Sequence, residues 1–310
     1  MDRNEYPAAQ PLFLAGATAT GKSAVALILA EELGGEIVSV DSMQVYRGLD
    51  IGTAKPTAAE QARVPHHLIN VVELAETFDA ARFVHLAQTA VHEIQGRGHV
   101  PIFCGGTGLY FKAFLEGLGE APAADSAIRA ELEATPLPLL LTELERRDPE
   151  VFAEIDRQNP RRVIRALEVI RITGKPFSAQ RAGWSSPASP AATRVGAIWG
   201  LVREPADLQA RIDTRVEQMF QRGLIAETAK LLQTGLAQNR TAMQAIGYRQ
   251  VVEHLRSERS LPETIQLVKL RTRQFAKRQM TWFQRQARMN WVACSPDDDA
   301  KAIAKRIRPQ

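Results

Sequence analysis

A glycine-rich segment near the start of the chain contains residues whose chemistry is easy to recognise. In "GATATGKS", four residues separate Gly16 from Gly21, and Lys22 and Ser23 follow. Glycines let backbone N–H groups turn toward phosphate oxygens, a lysine adds positive charge, and a serine hydroxyl can bind Mg²⁺. This spacing predicts a phosphate loop for a di- or triphosphate, with Ser23 as the Mg²⁺ ligand, formed by Gly16, Ala17, Thr18, Ala19, Thr20, Gly21, Lys22 and Ser23.

Asp41 is the first carboxylate expected beside that loop. It directly follows the strand-like segment "EIVSV". The carboxyl ends of neighbouring parallel strands border one crevice, so we expect Asp41 to face the phosphate loop from the adjoining strand. A carboxylate in that place can accept a proton from a substrate. Alternatively, it closes a turn through its own backbone, and the residue type leaves both roles open.

Thr107 and two arginines are further candidates for the same crevice. Thr107 lies in "CGGTGLYFKAFLEGL", where it either caps the next helix or lines the crevice with its hydroxyl. Arg211 and Arg215 are four residues apart and share one helical face. They either stay in solvent or neutralise the charge of a leaving group. The strand before Thr107 ends in glycines, without the acidic residue that many nucleotide hydrolases use for magnesium, which disfavours a motor-type ATPase.

The elements that must position these residues alternate between strand-like and helical segments. The strand-like segments are "PLFLA", "EIVSV", "HLINVV", "VPIFCGG" and, later, "RVGAIWGLV", after which the chain is mostly helical in pattern. Such alternation predicts an α/β fold with a parallel sheet flanked by helices. We assign this core to residues 1–119 and 194–310. Residues 120–193 lack the strand-like segments and are predicted to form a helical insertion domain.

Positive charge is concentrated at the C-terminal end of the chain. Residues 240–310 contain 15 Lys and Arg against 6 Asp and Glu, whereas the first 239 residues contain 24 against 29. Within that region, Thr264–Asn290 has seven basic residues and no acidic one, with Phe275 and Trp282 among them. This composition predicts a polyanion-binding helix. A solvated helix face is the alternative.

Several classes of protein are disfavoured by what the sequence lacks. Cys104 and Cys294 are too few for a disulfide framework or a zinc site of cysteines. The first residues have no apolar targeting segment, and no run approaches the ~18 apolar residues of a membrane span. We therefore expect a cytoplasmic protein that does not bind membranes. His66 and His67 lack a metal-ligand spacing and are predicted to be structural.

Eight segments, taken in order, resemble the signature segments of the bacterial tRNA dimethylallyltransferases, also called tRNA isopentenyltransferases (the IPP transferase family). They are "GATATGKS", "VDSMQVYRGLDIGTAKPT", "PHHLI", "GGTGLYFKAFLEGL", "NPRRVIRALEV", "RIDTRVEQM", "AIGYRQ" and "TRQFAKRQMTWFQR". The resemblance implies transfer of a dimethylallyl group from dimethylallyl diphosphate to N6 of adenosine 37 in the anticodon loop of tRNA, with release of diphosphate. The implied partners are tRNA and dimethylallyl diphosphate, and no protein partner is implied.

The resemblance also implies roles for individual residues. The phosphate loop would bind the diphosphate, with Mg²⁺ near Ser23, and Asp41 would be the base. Thr107 and Arg215 would contact the bridging oxygen and the diphosphate. The insertion domain would contact tRNA. Contacts with tRNA are implied for Asp41, Ser42, Met43, Gln44, Thr107, Arg129, Arg161, Arg162, Val163, Ile164, Arg165, Ala245, Ile246, Gly247, Tyr248, Arg249, Lys277 and Arg278.

Two other functions are compatible with a phosphate loop. A small-molecule kinase would hold ATP there and use Asp41 to activate a hydroxyl. A non-catalytic RNA-binding protein would use a nucleotide only to change shape. The basic segment without acidic residues argues against the kinase, and Asp41 argues against the switch protein.

Overall fold

The computed structural model describes residues 10–119, 121–180 and 198–307 of the chain. It divides into two compact units, one of Met1–Leu115 with Ser186–Gln310 and one of Glu116–Ser185. The strands are β1 (Leu12–Gly16), β2 (Gly35–Val40), β3 (His66–His67), β4 (Val100–Gly105), β5 (Ile198–Arg203) and β6 (Asn290–Cys294). The helices are α1 (Lys22–Leu33), α2 (Ala58–Arg63), α3 (Ala80–Gly96), α4 (Gly108–Glu116), α5 (Ser126–Ala134), α6 (Leu137–Arg147), α7 (Pro149–Glu154), α8 (Pro160–Thr173), α9 (Pro205–Gln221), α10 (Leu224–Gln233), α11 (Tyr248–Leu255), α12 (Leu261–Gln286) and α13 (Ala300–Lys305).

The strands form one parallel sheet in the order β3-β2-β4-β1-β5-β6. This confirms the predicted α/β fold. One expectation is corrected, because β4 lies between β1 and β2, so Asp41 does not follow the strand that adjoins the phosphate loop. All strands are parallel, however, and their carboxyl ends share one edge of the sheet. Asp41 therefore still lies at the edge that carries the loop.

The two faces of the sheet are both covered, as a parallel sheet requires. Side chains alternate along each strand, so Phe13 faces one side and Leu14 the other. Phe13 stacks on Phe103 of β4 with ring centroids 4.9 Å apart, and this face includes residues of α3 and α4. Leu14 lies in the cluster that includes residues of α1 and α13. The strands are thus apolar on both faces and form a rigid base for the loops at their carboxyl ends.

Two strands differ from their prediction. In the segment "HLINVV" only His67 belongs to a strand, β3, and Val72 contributes a single parallel bridge to Tyr46. β6 lies in a region predicted to be mostly helical, and it pairs with β5 at the end of the sheet. In β6 only Val292 and Cys294 are buried, so its period-2 pattern is too short to stand out in the sequence. Residues 194–197 of the predicted strand "RVGAIWGLV" lie outside the described residues.

The unit Glu116–Ser185 contains helices α5 to α8. Its core is a cluster of leucines, valines, isoleucine and alanine, among them Leu132, Leu144 and Leu167. These residues recur at helical spacing, as amphipathic helices packed on one another require. None of the helices within the described ranges is long and apolar enough to cross a membrane.

Candidate active site

The phosphate loop connects β1 to the first turn of α1. Its backbone turns at Ala19 (φ 65°) and Gly21 (φ 100°), both in the left-handed region. A Cβ at Gly16 would lie 2.9 Å from the carbonyl oxygen of Leu201, so only glycine fits there. The loop therefore ends at a helix N-terminus, whose unpaired N–H groups favour an anion.

Two arginines hold the carbonyl groups of the phosphate loop. Arg203 of β5 is buried, and its Nε donates to the Thr20 carbonyl oxygen at 2.9 Å. Nε of Arg211 donates to the Ala19 carbonyl oxygen, also at 2.9 Å. Because carbonyls would repel phosphate, fixing these two by hydrogen bonds favours the anion-binding form of the loop. Arg203 was missed by the sequence analysis, since nothing local links it to a loop 183 residues away.

Lys22 is buried at the start of α1, and its Nζ donates to the Ala17 carbonyl oxygen at 2.5 Å. Burial lowers the pKa of Lys22 to about 8, an effect that Cys104 and Asp41 oppose and Arg215 reinforces. A bound diphosphate would add negative charge and raise this pKa again. A bound anion would therefore stabilise the protonated form of Lys22.

Asp41 closes the turn that was one of its two predicted roles, and it also lines the cavity in which the second role, proton acceptance, stays a prediction. Its Oδ1 accepts hydrogen bonds from the backbone N–H groups of Met43 at 2.8 Å and Gln44 at 3.3 Å, which closes the turn after β2. Within the described residues its Oδ2 accepts no hydrogen bond. Asp41 also lines the same cavity as Lys22 and Arg215. One carboxylate oxygen therefore fixes the group, and the other is open to a substrate proton.

Thr107 directly precedes α4, and among the described residues its hydroxyl bonds to the chain after β2 and not to that helix. Its Oγ1 accepts a hydrogen bond from the Ser42 backbone N–H at 3.1 Å, and its own N–H donates to the Val40 carbonyl oxygen at 3.1 Å. These bonds join the end of β4 to the end of β2. Since the oxygen accepts from Ser42, the hydroxyl proton can be donated to a group in the cavity.

Arg211 and Arg215 have different environments despite sharing one face of α9. Arg211 is exposed and donates to the phosphate loop, whereas Arg215 is half-buried and lines the cavity that contains Asp41. Both arginines also line a second cavity beside Lys22 and Ser23. Burial lowers the pKa of Arg215, and the carboxylate of Asp41 opposes that effect. On the same helix, Ile212 and Val216 are buried at helical spacing, and Leu208 is partly buried.

The cavity has a volume of about 390 Å³ and is lined by both polar and apolar residues. The polar side chains include Lys22, Ser23, Asp41, Thr107 and Arg215. Among the apolar ones are Val216, Met219, Ile246, Val268 and Phe275. Ser42, Met43, Gln44 and Ala245 also line it. Such a cavity can hold a phosphate-bearing group at one end and an apolar group beside it.

Tyr248 is fully buried and is hydrogen-bonded to a loop that lines this cavity. Its hydroxyl donates to Oε1 of Glu227 at 2.6 Å and accepts from the Gly52 backbone N–H at 3.1 Å. Glu227 also accepts from the Ile51 N–H at 3.0 Å. These bonds anchor the loop that carries Gly52, a cavity residue. Because neither its side chain nor its backbone is exposed, the contact with tRNA implied for Tyr248 gains no support from this structure and stays a prediction. Its neighbour Arg249 is exposed and pairs with Glu253, and Gly247 caps α11.

Two of the arginines predicted to bind tRNA are ion-paired within their own unit. Arg129 and Arg165 each lie 2.7 Å from Oε2 of Glu168, which has no exposed surface. A buried carboxylate requires such partners. Arg161 and Arg162 are exposed at the start of α8. Of the two apolar positions predicted in this segment, Val163 is buried in the core and Ile164 is partly buried.

Lys277 and Arg278 are exposed on α12, together with Arg285. The guanidinium of Arg278 lies over the ring of Phe275, 5.9 Å from its centroid. Phe275 is 38% exposed and lines the cavity. This face of α12 therefore presents positive charge and an aromatic ring beside the site.

His66 and His67 have protein partners. Nδ1 of His66 lies 2.8 Å from the Val64 carbonyl oxygen, and Nε2 of His67 lies 2.6 Å from Oε2 of Glu36. Glu36 is buried, and a hydrogen bond from Arg97 is the largest effect that lowers its pKa to about 2. In the parts of the chain that are described, no group of three or more His, Cys, Asp or Glu residues is arranged to hold a metal.

The fold and the site define a phosphate-loop α/β protein in which residues of the phosphate loop, a carboxylate and several apolar side chains line one cavity. The family model named IPP transferase matches residues 44–286, and the chain belongs to that family. This confirms the family resemblance. It does not favour the alternative of a small-molecule kinase.

The similar proteins cover nearly the whole chain. The chain is 46% identical over 286 residues to the tRNA dimethylallyltransferase 1 of Trichlorobacter lovleyi, covering 91% of this chain and 93% of that one. It is 41% identical over 300 residues to the tRNA dimethylallyltransferase of Pelotomaculum thermopropionicum, covering 96% and 94%. The crystal structure of the tRNA isopentenylpyrophosphate transferase from Bacillus halodurans matches with a TM-score of 0.69 and 39% identity, covering 96% and 94%. A eukaryotic dimethylallyltransferase acting on tRNA matches with a TM-score of 0.76 and 26% identity, covering 96% and 77%.

Proposed function

We propose that this protein transfers a dimethylallyl group from dimethylallyl diphosphate to N6 of adenosine 37 in the anticodon loop of tRNA. The family membership and the names of the relatives support transfer of this group to tRNA. The observation that carries the proposal is the shared cavity, in which Lys22 and Arg215 accompany a carboxylate with one unengaged oxygen. The two cations match the diphosphate of the prenyl donor, and the carboxylate matches the amine of the acceptor adenine.

The leaving group is the diphosphate, which gains negative charge as the C1–O bond breaks. The phosphate loop and the N-terminus of α1 would bind it, and Lys22 and Arg215 would stabilise the growing charge. Lys22 is buried and Arg215 is half-buried, and burial lowers the pKa of each. Their interaction with an anion is therefore stronger than it would be in water. The hydroxyl of Thr107 would donate to the bridging oxygen.

The nucleophile is the exocyclic amine of adenine, which is weak until its proton is removed. Oδ2 of Asp41 would accept that proton as the N6–C1 bond forms, and the electron pair of the C1–O bond leaves with the diphosphate. Oδ1 keeps the carboxylate fixed through the Met43 and Gln44 N–H groups. The reaction is thus balanced without ATP.

A magnesium ion would bind where the diphosphate of the prenyl donor lies. Ser23 lies in the first turn of α1, is exposed and lines the cavity. Mg²⁺ keeps several waters and is bound by few protein ligands together with substrate phosphates, so a carboxylate cluster is not needed. We assign the hydroxyl of Ser23 as its protein ligand. When bound, the ion would neutralise part of the charge of the diphosphate.

Access to the cavity requires the target base to leave its stack. Unstacking costs a few kcal/mol and is easiest in a single-stranded loop. The exposed Lys277, Arg278 and Phe275 of α12 lie beside the cavity and can bind the RNA backbone and an unstacked base. Arg161, Arg162 and Arg249 are the other exposed arginines that we assign to tRNA.

A product analysis tests the proposal directly. The protein is incubated with tRNA, Mg²⁺ and either dimethylallyl diphosphate or ATP, and the nucleosides of the tRNA are analysed by mass spectrometry. We expect one prenylated adenosine from the anticodon loop and an equal amount of diphosphate, with no need for ATP. A strict ATP requirement, or a phosphorylated product, would overturn the proposal.

A further inference from the structure

One amide side chain of the basic helix α12, that of Gln279, lies in the site. Gln279 is 9% exposed, whereas Lys277 and Arg278 just before it are exposed. Its Oε1 accepts a hydrogen bond from the Thr18 backbone N–H at 2.9 Å. Its Nε2 donates to the Gly106 carbonyl oxygen, also at 2.9 Å. A single side chain thus bridges the phosphate loop after β1 and the loop after β4.

The amide of Gln279 fills the space between these two loops closely. A Cβ added at Gly106 would lie 2.2 Å from Nε2 of Gln279 and 3.3 Å from the Gly16 carbonyl oxygen. Only a side chain with an acceptor and a donor on one planar group can satisfy both loops at once. A carboxylate would lose the donor, and an aliphatic side chain would lose both bonds.

The two bridged loops carry opposite halves of the chemistry. The phosphate loop would hold the leaving diphosphate. Gly106 precedes Thr107, whose hydroxyl oxygen binds the Ser42 N–H next to Asp41. Gln279 therefore links the leaving-group side to the proton-accepting side. Misplacement of reacting groups by about 1 Å can cost roughly 100-fold in rate.

We propose that Gln279 is a positioning residue that holds the phosphate loop and the Thr107 loop at the separation required for prenyl transfer. The inference rests on the proposed function for its catalytic consequence. The bridge itself has a consequence that does not depend on that function, because the Thr18 N–H loses its acceptor when Gln279 is replaced by an aliphatic residue.

The kinetic test compares Gln279→Leu and Gln279→Glu with Gln266→Leu and Gln266→Glu. Gln266 lies on the same helix, is exposed and is outside the cavity. We expect Gln279→Leu to lower kcat about 100-fold while the Kd for tRNA changes by less than about threefold. The Gln266 variants should match the wild type. A kcat of Gln279→Leu within about threefold of the wild type would overturn the proposal.

The Gln279→Glu variant adds a pH signature that a general loss of packing would not produce. When its carboxyl group is protonated, it can donate to the Gly106 carbonyl as the amide does; when ionised, it repels that oxygen. We expect the ratio of its kcat to that of the wild type to rise as the pH falls, whereas Gln266→Glu should give a flat ratio. This variant keeps the size of the side chain and the acceptor for Thr18, so it carries the test if Gln279→Leu does not fold. A flat ratio for Gln279→Glu would contradict the proposal.

Amide hydrogen exchange separates this inference from the proposed function. We expect faster exchange in the phosphate-loop peptide of Gln279→Leu, measured on the full-length folded protein without substrates. If exchange accelerates but the wild type prenylates no tRNA, the proposed function fails and the bridge stands. If the wild type prenylates tRNA but exchange and kcat are unchanged in Gln279→Leu, the positioning role fails alone.

Discussion

Replacement of Asp41 by Asn is the sharpest test of the proposed chemistry. In the proposed chemistry the two oxygens of Asp41 have separate tasks, since Oδ1 accepts from the Met43 and Gln44 N–H groups and Oδ2 would accept the substrate proton. An asparagine keeps the Oδ1 acceptor and therefore the turn. Its NH₂ group replaces Oδ2 and cannot accept the adenine proton. The substitution thus removes the base with little change of local structure.

The expected loss is a factor of roughly 10² to 10⁴ in the single-turnover rate, the usual contribution of a general base, or about 3 to 5 kcal/mol of barrier. The structure adds a condition on pH. The carboxylate of Asp41 raises the pKa of Lys22, which burial has lowered to about 8, so the variant must have a lower value still. The assay is therefore best run near about pH 6.5, where Lys22 stays protonated in both proteins.

The assay uses enzyme in excess over tRNA, saturating dimethylallyl diphosphate and Mg²⁺, with prenylated tRNA quantified over time. The Kd for tRNA, measured by fluorescence anisotropy, should stay within a few fold of the wild type. Asp41→Ala is the companion variant, because it loses the turn acceptor as well as the base and should also be less stable. A near-normal single-turnover rate for Asp41→Asn would remove Asp41 from the mechanism.

Three further predictions address tRNA binding and stability. Replacing Lys277 and Arg278 together by Ala should weaken tRNA binding and reduce the slope of log K against log salt by up to ~2. The reason is that each phosphate contact releases roughly 0.7 to 0.9 counterions. An unchanged slope in a salt titration would show that neither residue contacts the tRNA backbone. Glu36 has a folded-state pKa of about 2 against an ordinary 4.5, so it stabilises the fold fully above about pH 4.5, and up to ~3 kcal/mol is lost as the pH falls toward 2. Urea unfolding at several pH values should show a smaller loss in Glu36→Gln over that window, and an identical loss would contradict the assignment. Glu168→Gln should destabilise the Glu116–Ser185 unit by about 1 to 3 kcal/mol, because the buried group loses its charge-assisted hydrogen bonds to two partly exposed arginines. The exposed Arg161→Ala should leave the unfolding midpoint unchanged, and equal midpoints for the two variants would refute this.

The phosphate loop was predictable from the sequence because its geometry is local. Eight consecutive residues form the loop, and the strand before it and the helix after it are both evident in the hydrophobic pattern. The same holds for the buried stripe of α9, where Ile212 and Val216 repeat at helical spacing. Backbone conformation within a few residues follows from residue types, so such features need no knowledge of the fold.

The family resemblance supplied long-range assignments that spacing alone did not. Asp41, Thr107 and Arg215 are far apart in sequence, and residue type left each with two roles. The structure brings them to one cavity, and it shows that Asp41 both closes a turn and keeps one oxygen open. It also shows that the two arginines have different contacts. Arg211 donates to the Ala19 carbonyl of the phosphate loop, and Arg215 lines the cavity that contains Asp41.

What the sequence by itself determined is the set of local units, namely the phosphate loop, the alternation of strands and helices and the basic segment Thr264–Asn290 without acidic residues. Only the tertiary structure decided which strand separates β1 from β2, that Tyr248 and Val163 are buried, and that Gln279 bridges two loops. Thr18 and Gln279 are 261 residues apart, and no periodicity or composition near either one specifies the other. Hydrogen bonds across such a distance form because the packing of the sheet and α12 brings the groups together, and that packing depends on contacts throughout the chain.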